Sequence, residues 1–147
     1  MGRKYYEAYD DRYRQVHKEG LQWFYDDPTP IVMETIREFG ISSDHAILEL
    51  GCGEGRDAYP LLKQGYRFLA TDISAASIAY AQKKWPEYAE CFSVLNCIGA
   101  ELQETFHLCC GRSAYAGGKG RPGWVLYLYP QASCARWHCS YLHHGRW

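Results

Sequence analysis

The chain has 147 residues, 16 basic and 17 acidic residues, and a net charge of −1. That length predicts one domain with a real core, and the near-neutral balance gives no general reason to expect nucleic acid or an anionic membrane as partner. Seven cysteines raise the question of disulfides. The segment Met1–Gln15 is charged and tyrosine-rich with no apolar core, which predicts no secretory leader, and no run reaches membrane-spanning length. A cytoplasmic protein with free thiols is expected.

Residues 4–19 place Tyr5, Tyr9, Tyr13 and Val16 at near-helical spacing and predict an N-terminal helix. Its aromatic side chains are expected to pack on the core, with a pocket lined by Tyr9, Tyr13 and Trp23 as the alternative. Asp26-Asp27-Pro28-Thr29-Pro30 reads as a turn, with Thr29 capping a helix and Pro30 at its first position. Ile31, Val32, Ile36 and Phe39 then repeat on one face, and Gly40 is the stop.

Ala46 to Leu50 is apolar apart from Glu49, the pattern of a central parallel strand buried on both faces. Three alternate glycines follow, Gly51, Gly53 and Gly55. Without a Cβ they let the backbone turn sharply and lie close to a ligand. A helix is predicted over Asp57–Gln64 and a second strand over Tyr66–Thr71, with Asp72 at its end. Ser74 caps a helix that stops at Trp85-Pro86, because the residue before proline disfavours helical backbone. Cys91–Leu95 reads as a third strand ending at Asn96-Cys97. The order α-α-β-α-β-α-β argues for an α/β fold with a parallel sheet.

The strand, glycine turn and helix start form the nucleotide-facing corner of a doubly wound sheet. The dinucleotide fingerprint G-x-G-x-x-G needs glycine at position 56, where this chain has Arg56. Cys52 lies near a helix start, where thiols become more acidic, but it reads as structural and not as a nucleophile.

"GCGEGRDA" at residues 51–58 and "GYRFLATDISAASIAYAQ" at 65–82 resemble class I S-adenosylmethionine (SAM)-dependent methyltransferases. The branch they resemble acts on small molecules and includes the tellurite-resistance and thiopurine-type enzymes. The resemblance covers roughly residues 20 to 106. It implies a Rossmann-like parallel sheet, SAM as cofactor, a small-molecule methyl acceptor, and neither nucleic acid nor membrane as partner. By the same resemblance Gly51, Gly53 and Gly55 lie under the methionine moiety and ribose, with Cys52 among them. Glu49 serves the amino-acid end, Asp72 takes both ribose hydroxyls, and Ile73 packs on the adenine. Asn96 stands where the family usually has an Asp for the adenine amino group, a weaker match, and Cys97 offers backbone contact. No metal ligand and no catalytic residue is implied.

After Glu104 the character changes. Residues 105–147 contain no acidic residue, whereas ordinary usage of roughly 12% predicts about five. Codons can be chosen for residues 107–147 that, read one nucleotide later, give an apolar strand, an acid-rich helix, an "APDG" turn and another apolar strand. That order resembles the second half of the same family. Residues 1–106 are therefore read as the first half of a SAM-binding domain, and 107–147 as an out-of-frame, irregular tail of an incomplete, inactive enzyme. A sheet ending there is expected to leave an open edge and poor solubility. Two alternatives remain: a non-catalytic SAM-binding or regulatory module, and an interaction protein whose Cys/His-rich tail holds metal or nucleic acid.

Overall fold

The computed structural model describes residues 7–96, 108–112 and 124–127. Helix α1 spans Glu7–Lys18 and α2 spans Pro30–Glu38. Strand β1, Ala46–Leu50, leads through the glycine turn into α3, Ala58–Lys63. Strand β2, Arg67–Asp72, is followed by α4, Ala75–Lys84, a 3₁₀ segment at Pro86–Cys91 and β3, Phe92–Val94. Strands β4, Leu108–Arg112, and β5, Trp124–Tyr127, complete one sheet of order β3-β2-β1-β4-β5.

The first four of these strands in spatial order run parallel. Ile47 pairs with Phe68 of β2 on one side of β1 and with Leu108 of β4 on the other. Ala70 of β2 pairs with Phe92 of β3. Strand β5 returns antiparallel along β4, with Cys109 opposite Tyr127. Strand β1 is therefore central, which explains its near-continuous apolar sequence: Ile47 and Leu48 have no exposed surface. Each such side chain contributes about 1.5–3 kcal/mol of burial. The open edge expected beside β1 is occupied by β4.

The local signals act where the sequence places them. Ser74 accepts the Ser77 N–H at 3.2 Å and starts α4. Gly40 adopts φ 61°, which stops α2, and the Ile41 amide closes back on the Ile36 carbonyl at 2.9 Å. Two expectations for α2 fail. Thr29 makes no side-chain cap to its own helix, because its hydroxyl donates instead to Asp57 at 2.9 Å. Phe39, read as part of the apolar face, is 52% exposed, while Val32 and Ile36 are buried. It stands after the last helical residue, Glu38, where the helical period no longer applies.

The core gathers Val32, Ile36, Ile47, Leu61, Leu62, Phe68, Ile78, Trp85 and Phe92. Trp85 stacks on Tyr59 at 4.7 Å and lies 5.9 Å from Phe92. This aromatic wall stands directly behind Gly55, where an added Cβ would meet Phe92 at 2.5 Å and Trp85 at 2.9 Å. Among the described cysteine side chains, Cys52 is buried and Cys91 half-buried. The side chains of the tail cysteines and histidines lie outside the described residues. Among the described residues no helix is long and apolar enough to cross a membrane, and no cluster of His, Cys, Asp or Glu is arranged to hold a metal ion.

Candidate functional site: a glycine turn closed by an N-terminal helix

Gly51, Gly53 and Gly55 all adopt left-handed backbone, at φ 78°, 57° and 81°. A side chain at any of them would be strained. The amides of the turn point into the protein. Those of Gly51 and Cys52 donate to the Thr71 carbonyl at 2.7 and 2.9 Å, and that of Gly55 donates to the Cys52 carbonyl at 2.9 Å. The Gly53 amide donates to Asp72 Oδ2 at 2.8 Å. Thr71 also donates its hydroxyl to the Glu49 carbonyl at 2.7 Å, which ties β2 to β1 at the turn.

A phosphate-binding loop presents such amides outward to an anion. Here four of them are already used, so the turn offers glycine backbone and flanking carboxylates to a ligand. That chemistry suits a cationic or hydroxyl-bearing molecule better than a phosphate.

Asp72 is fixed at both carboxylate oxygens, by the Gly53 amide and by the Ser74 amide on Oδ1 at 2.8 Å. Each oxygen keeps a further lone pair for an outside donor. Burial pushes Asp72 above the usual carboxylate range, and the amides of Ser74, Gly53 and Ile73 pull against it. Glu49 is buried at 7% exposure, and its Oε2 has no hydrogen-bond partner among the described residues. Burial, with Asp57 and Asp72 nearby, holds its carboxyl well above the ordinary value, and Arg56 opposes this.

The sequence-predicted residues divide as follows. Glu49, Gly51, Cys52, Gly53, Gly55 and Asp72 come together at the C-terminal ends of β1 and β2. Cys52 is buried in the core. Ile73 follows Asp72 and is half-buried. Asn96 lies exposed just past β3, whose chain is tied to β2 by the Leu95 amide on the Asp72 carbonyl at 2.9 Å. Cys97 lies outside the described residues.

Three acids that the motif reading passed over hold the site together or support it. Asp10 of α1 accepts from the Ser74 hydroxyl at 2.7 Å and the Ala76 amide at 2.9 Å. Burial opposes its ionisation, but the Ala76 amide, Ser74 and Arg14 outweigh it and lower its pKa. Glu54 accepts the Trp23 and Phe24 amides at 2.8 and 3.0 Å and contacts His17 Nε2 at 2.8 Å. Asp57 accepts the Thr29 hydroxyl and amide. Asp11, by contrast, lies exposed on α1. Tyr13 is buried with its hydroxyl against Gly53, where an added Cβ would lie 2.7 Å away. Trp23 meets Tyr13 at 4.8 Å and Tyr9 at 6.4 Å. The aromatic residues thus serve as core packing and also border the turn. Asp10 and Glu54 carried no sequence signal, since one is a charge on a charged helix and the other a variable position between glycines.

Residues 47–112 match the family described as methyltransferase domain. The chain is similar to a protein of echinomycin biosynthesis, solved in a study of the conversion of a disulfide bond into a thioacetal group. The two share 25% identity over 74% of this chain and 47% of that one, with a TM-score of 0.58. It is also similar to a TehB-like SAM-dependent methyltransferase from Corynebacterium glutamicum (27% identity, 71% and 53% of the two chains, TM-score 0.46). YjhP from E. coli shares the fold at 16% identity, over 70% and 44% of the chains, with a TM-score of 0.50. No curated protein matches the sequence. Fold, glycine turn and family match together make the chain similar to methyltransferase domains, with the match lying in residues 47–112. The chain spans about half the length of the solved structures it matches.

Proposed function

We propose that this chain binds SAM at the glycine turn, and that the complete enzyme methylates a small-molecule acceptor. The observation that carries this reading is the use of the turn's amides. With those of Gly51, Cys52, Gly53 and Gly55 spent inside the protein, the turn suits a ligand without phosphates. Asp72, fixed but keeping free lone pairs, would accept the two ribose hydroxyls. Glu49, with an unpartnered oxygen, would face the ammonium of the amino-acid end. Ile73 would lie along the adenine, with Asn96 and the Cys97 backbone at its amino edge.

When bound, SAM supplies a methyl group on a sulfonium, activated for in-line displacement. The protein's share would be positioning: the glycine turn would lie against the cofactor, Asp72 would hold its ribose, and α1 with Trp23 would limit water at the turn. The chemistry asks for no dedicated base where the acceptor is a thiol or a soft anion.

We further infer that residues 107–147 are translated out of the family's frame. The absence of acids from 105–147 supports this. The coding nucleotides test it: the next frame should read as strand, acidic helix and strand, and any other reading refutes it.

Titration calorimetry with S-adenosylhomocysteine tests the cofactor. Binding is expected, weakened about tenfold or more by Asp72→Ala, which removes a charged acceptor for two hydroxyls. No heat from folded protein would refute the proposal.

A further inference from the structure

Glu49 is a carboxyl group in the central strand of the sheet, 7% exposed, with Oε2 unpartnered among the described residues. Among the described residues, the charged groups near it come from three places: Asp57 at the head of α3, Asp72 at the end of β2, and Arg56 in the turn. Arg56 already has other partners. Its Nη2 donates to the Thr29 hydroxyl at 2.9 Å, its Nε lies 4.0 Å from Asp57, and its guanidinium covers the Phe24 ring at 5.1 Å. A bare carboxylate at Glu49 would therefore be a charge taken out of water beside two like charges, with no cation of its own among the described residues. The state these surroundings favour without ligand is the neutral acid.

A ligand ammonium reverses that balance. It brings N–H donors to the unpartnered oxygen and a positive charge that compensates the carboxylate. Building on the SAM reading above, we propose that a ligand with an amino-acid end is taken up at Glu49 with release of one proton from its carboxyl to solvent. The neutral acid and the ammonium become a carboxylate–ammonium pair plus one free proton. The ligand keeps its own proton, and no bond to carbon changes. Affinity for SAM and S-adenosylhomocysteine then rises with pH. Affinity for the same nucleoside without the amino-acid end does not.

The test is titration calorimetry of the full chain with S-adenosylhomocysteine at one pH in phosphate and in Tris, whose ionisation heats differ. 5′-Methylthioadenosine serves as the probe lacking the amino acid. With S-adenosylhomocysteine the heat is expected to differ between buffers by the equivalent of about one proton, and affinity to climb about tenfold per pH unit while Glu49 is neutral in the free protein. The heat with 5′-methylthioadenosine is expected to be the same in both buffers, and E49Q is expected to remove the buffer dependence for S-adenosylhomocysteine. The two wild-type titrations decide the matter even where E49Q does not fold. Equal heats for S-adenosylhomocysteine in the two buffers overturn the proton release while leaving the cofactor reading intact. So does a buffer dependence that 5′-methylthioadenosine shares. Binding of neither probe by folded protein overturns both.

Discussion

Replacing Gly55 by alanine separates two costs that are usually confounded. The first is backbone strain: Gly55 has φ 81°, where an L side chain costs about 1–2 kcal/mol. The second is overlap. The new Cβ would lie 2.5 Å from Phe92 Cε1, 3.1 Å from its Cζ and 2.9 Å from Trp85 Cζ3. Both rings are buried, at 2% and 7% exposure, and Trp85 is braced by its stack on Tyr59. Neither can swing aside freely, so overpacking adds about 1–3 kcal/mol. Gly65 supplies the control, with φ 83° and nothing within 4 Å of its added Cβ. Urea unfolding is expected to show a loss of about 1–2 kcal/mol for Gly65→Ala and about 2–5 kcal/mol for Gly55→Ala. Trimming the wall with Phe92→Leu should recover part of the difference, so that the pair is less destabilised than its sum by about 1 kcal/mol. Equal losses at the two glycines would refute the aromatic wall as the reason for glycine at 55.

Glu49 makes stability depend on pH in a direction opposite to that of a salt-bridged acid. The folded state keeps its proton well above the 4.5 at which the free side chain releases it, so between the two values the fold holds the extra proton. Stability should fall as pH rises through that window, by about 1.4 kcal/mol per unit relative to E49Q, and parallel pH profiles would sink the idea. Glu54→Ala strands the Trp23 and Phe24 amides and should cost about 2–4 kcal/mol in denaturant unfolding; a loss below 0.5 kcal/mol on the same scale would contradict the role of its carboxylate. Phe39→Ser, at a position 52% exposed, should shift stability by less than about 0.5 kcal/mol, and a core-sized loss would return Phe39 to the apolar face.

Strand β1 was legible at its observed bounds because burial on both sides demands an unbroken apolar run and the glycines end it. Helix α4 was legible because Ser74 and Pro86 mark its two ends. What escaped was set by partners distant in sequence. Thr29 has the chemistry of a helix cap, but Asp57, 28 residues on, claims its hydroxyl. Strand β4 reads Leu-Cys-Cys-Gly-Arg, with no β-branched residue and no alternation. Its strand character comes from the unpaired edge of β1 beside it. Within the site, the glycines and Asp72 announced themselves by spacing. Asp10 and Glu54 act on backbone amides 66 and 31 residues away, and no local pattern encodes that.

The carboxylate of Glu54 has a consequence for dynamics. Two backbone protons, on Trp23 and Phe24, end on a side chain that sits between two of the three turn glycines. Those protons can exchange with solvent only when the turn lets go of the N-terminal segment. Their exchange rates are therefore a gauge of how often the turn opens, readable before any ligand is identified.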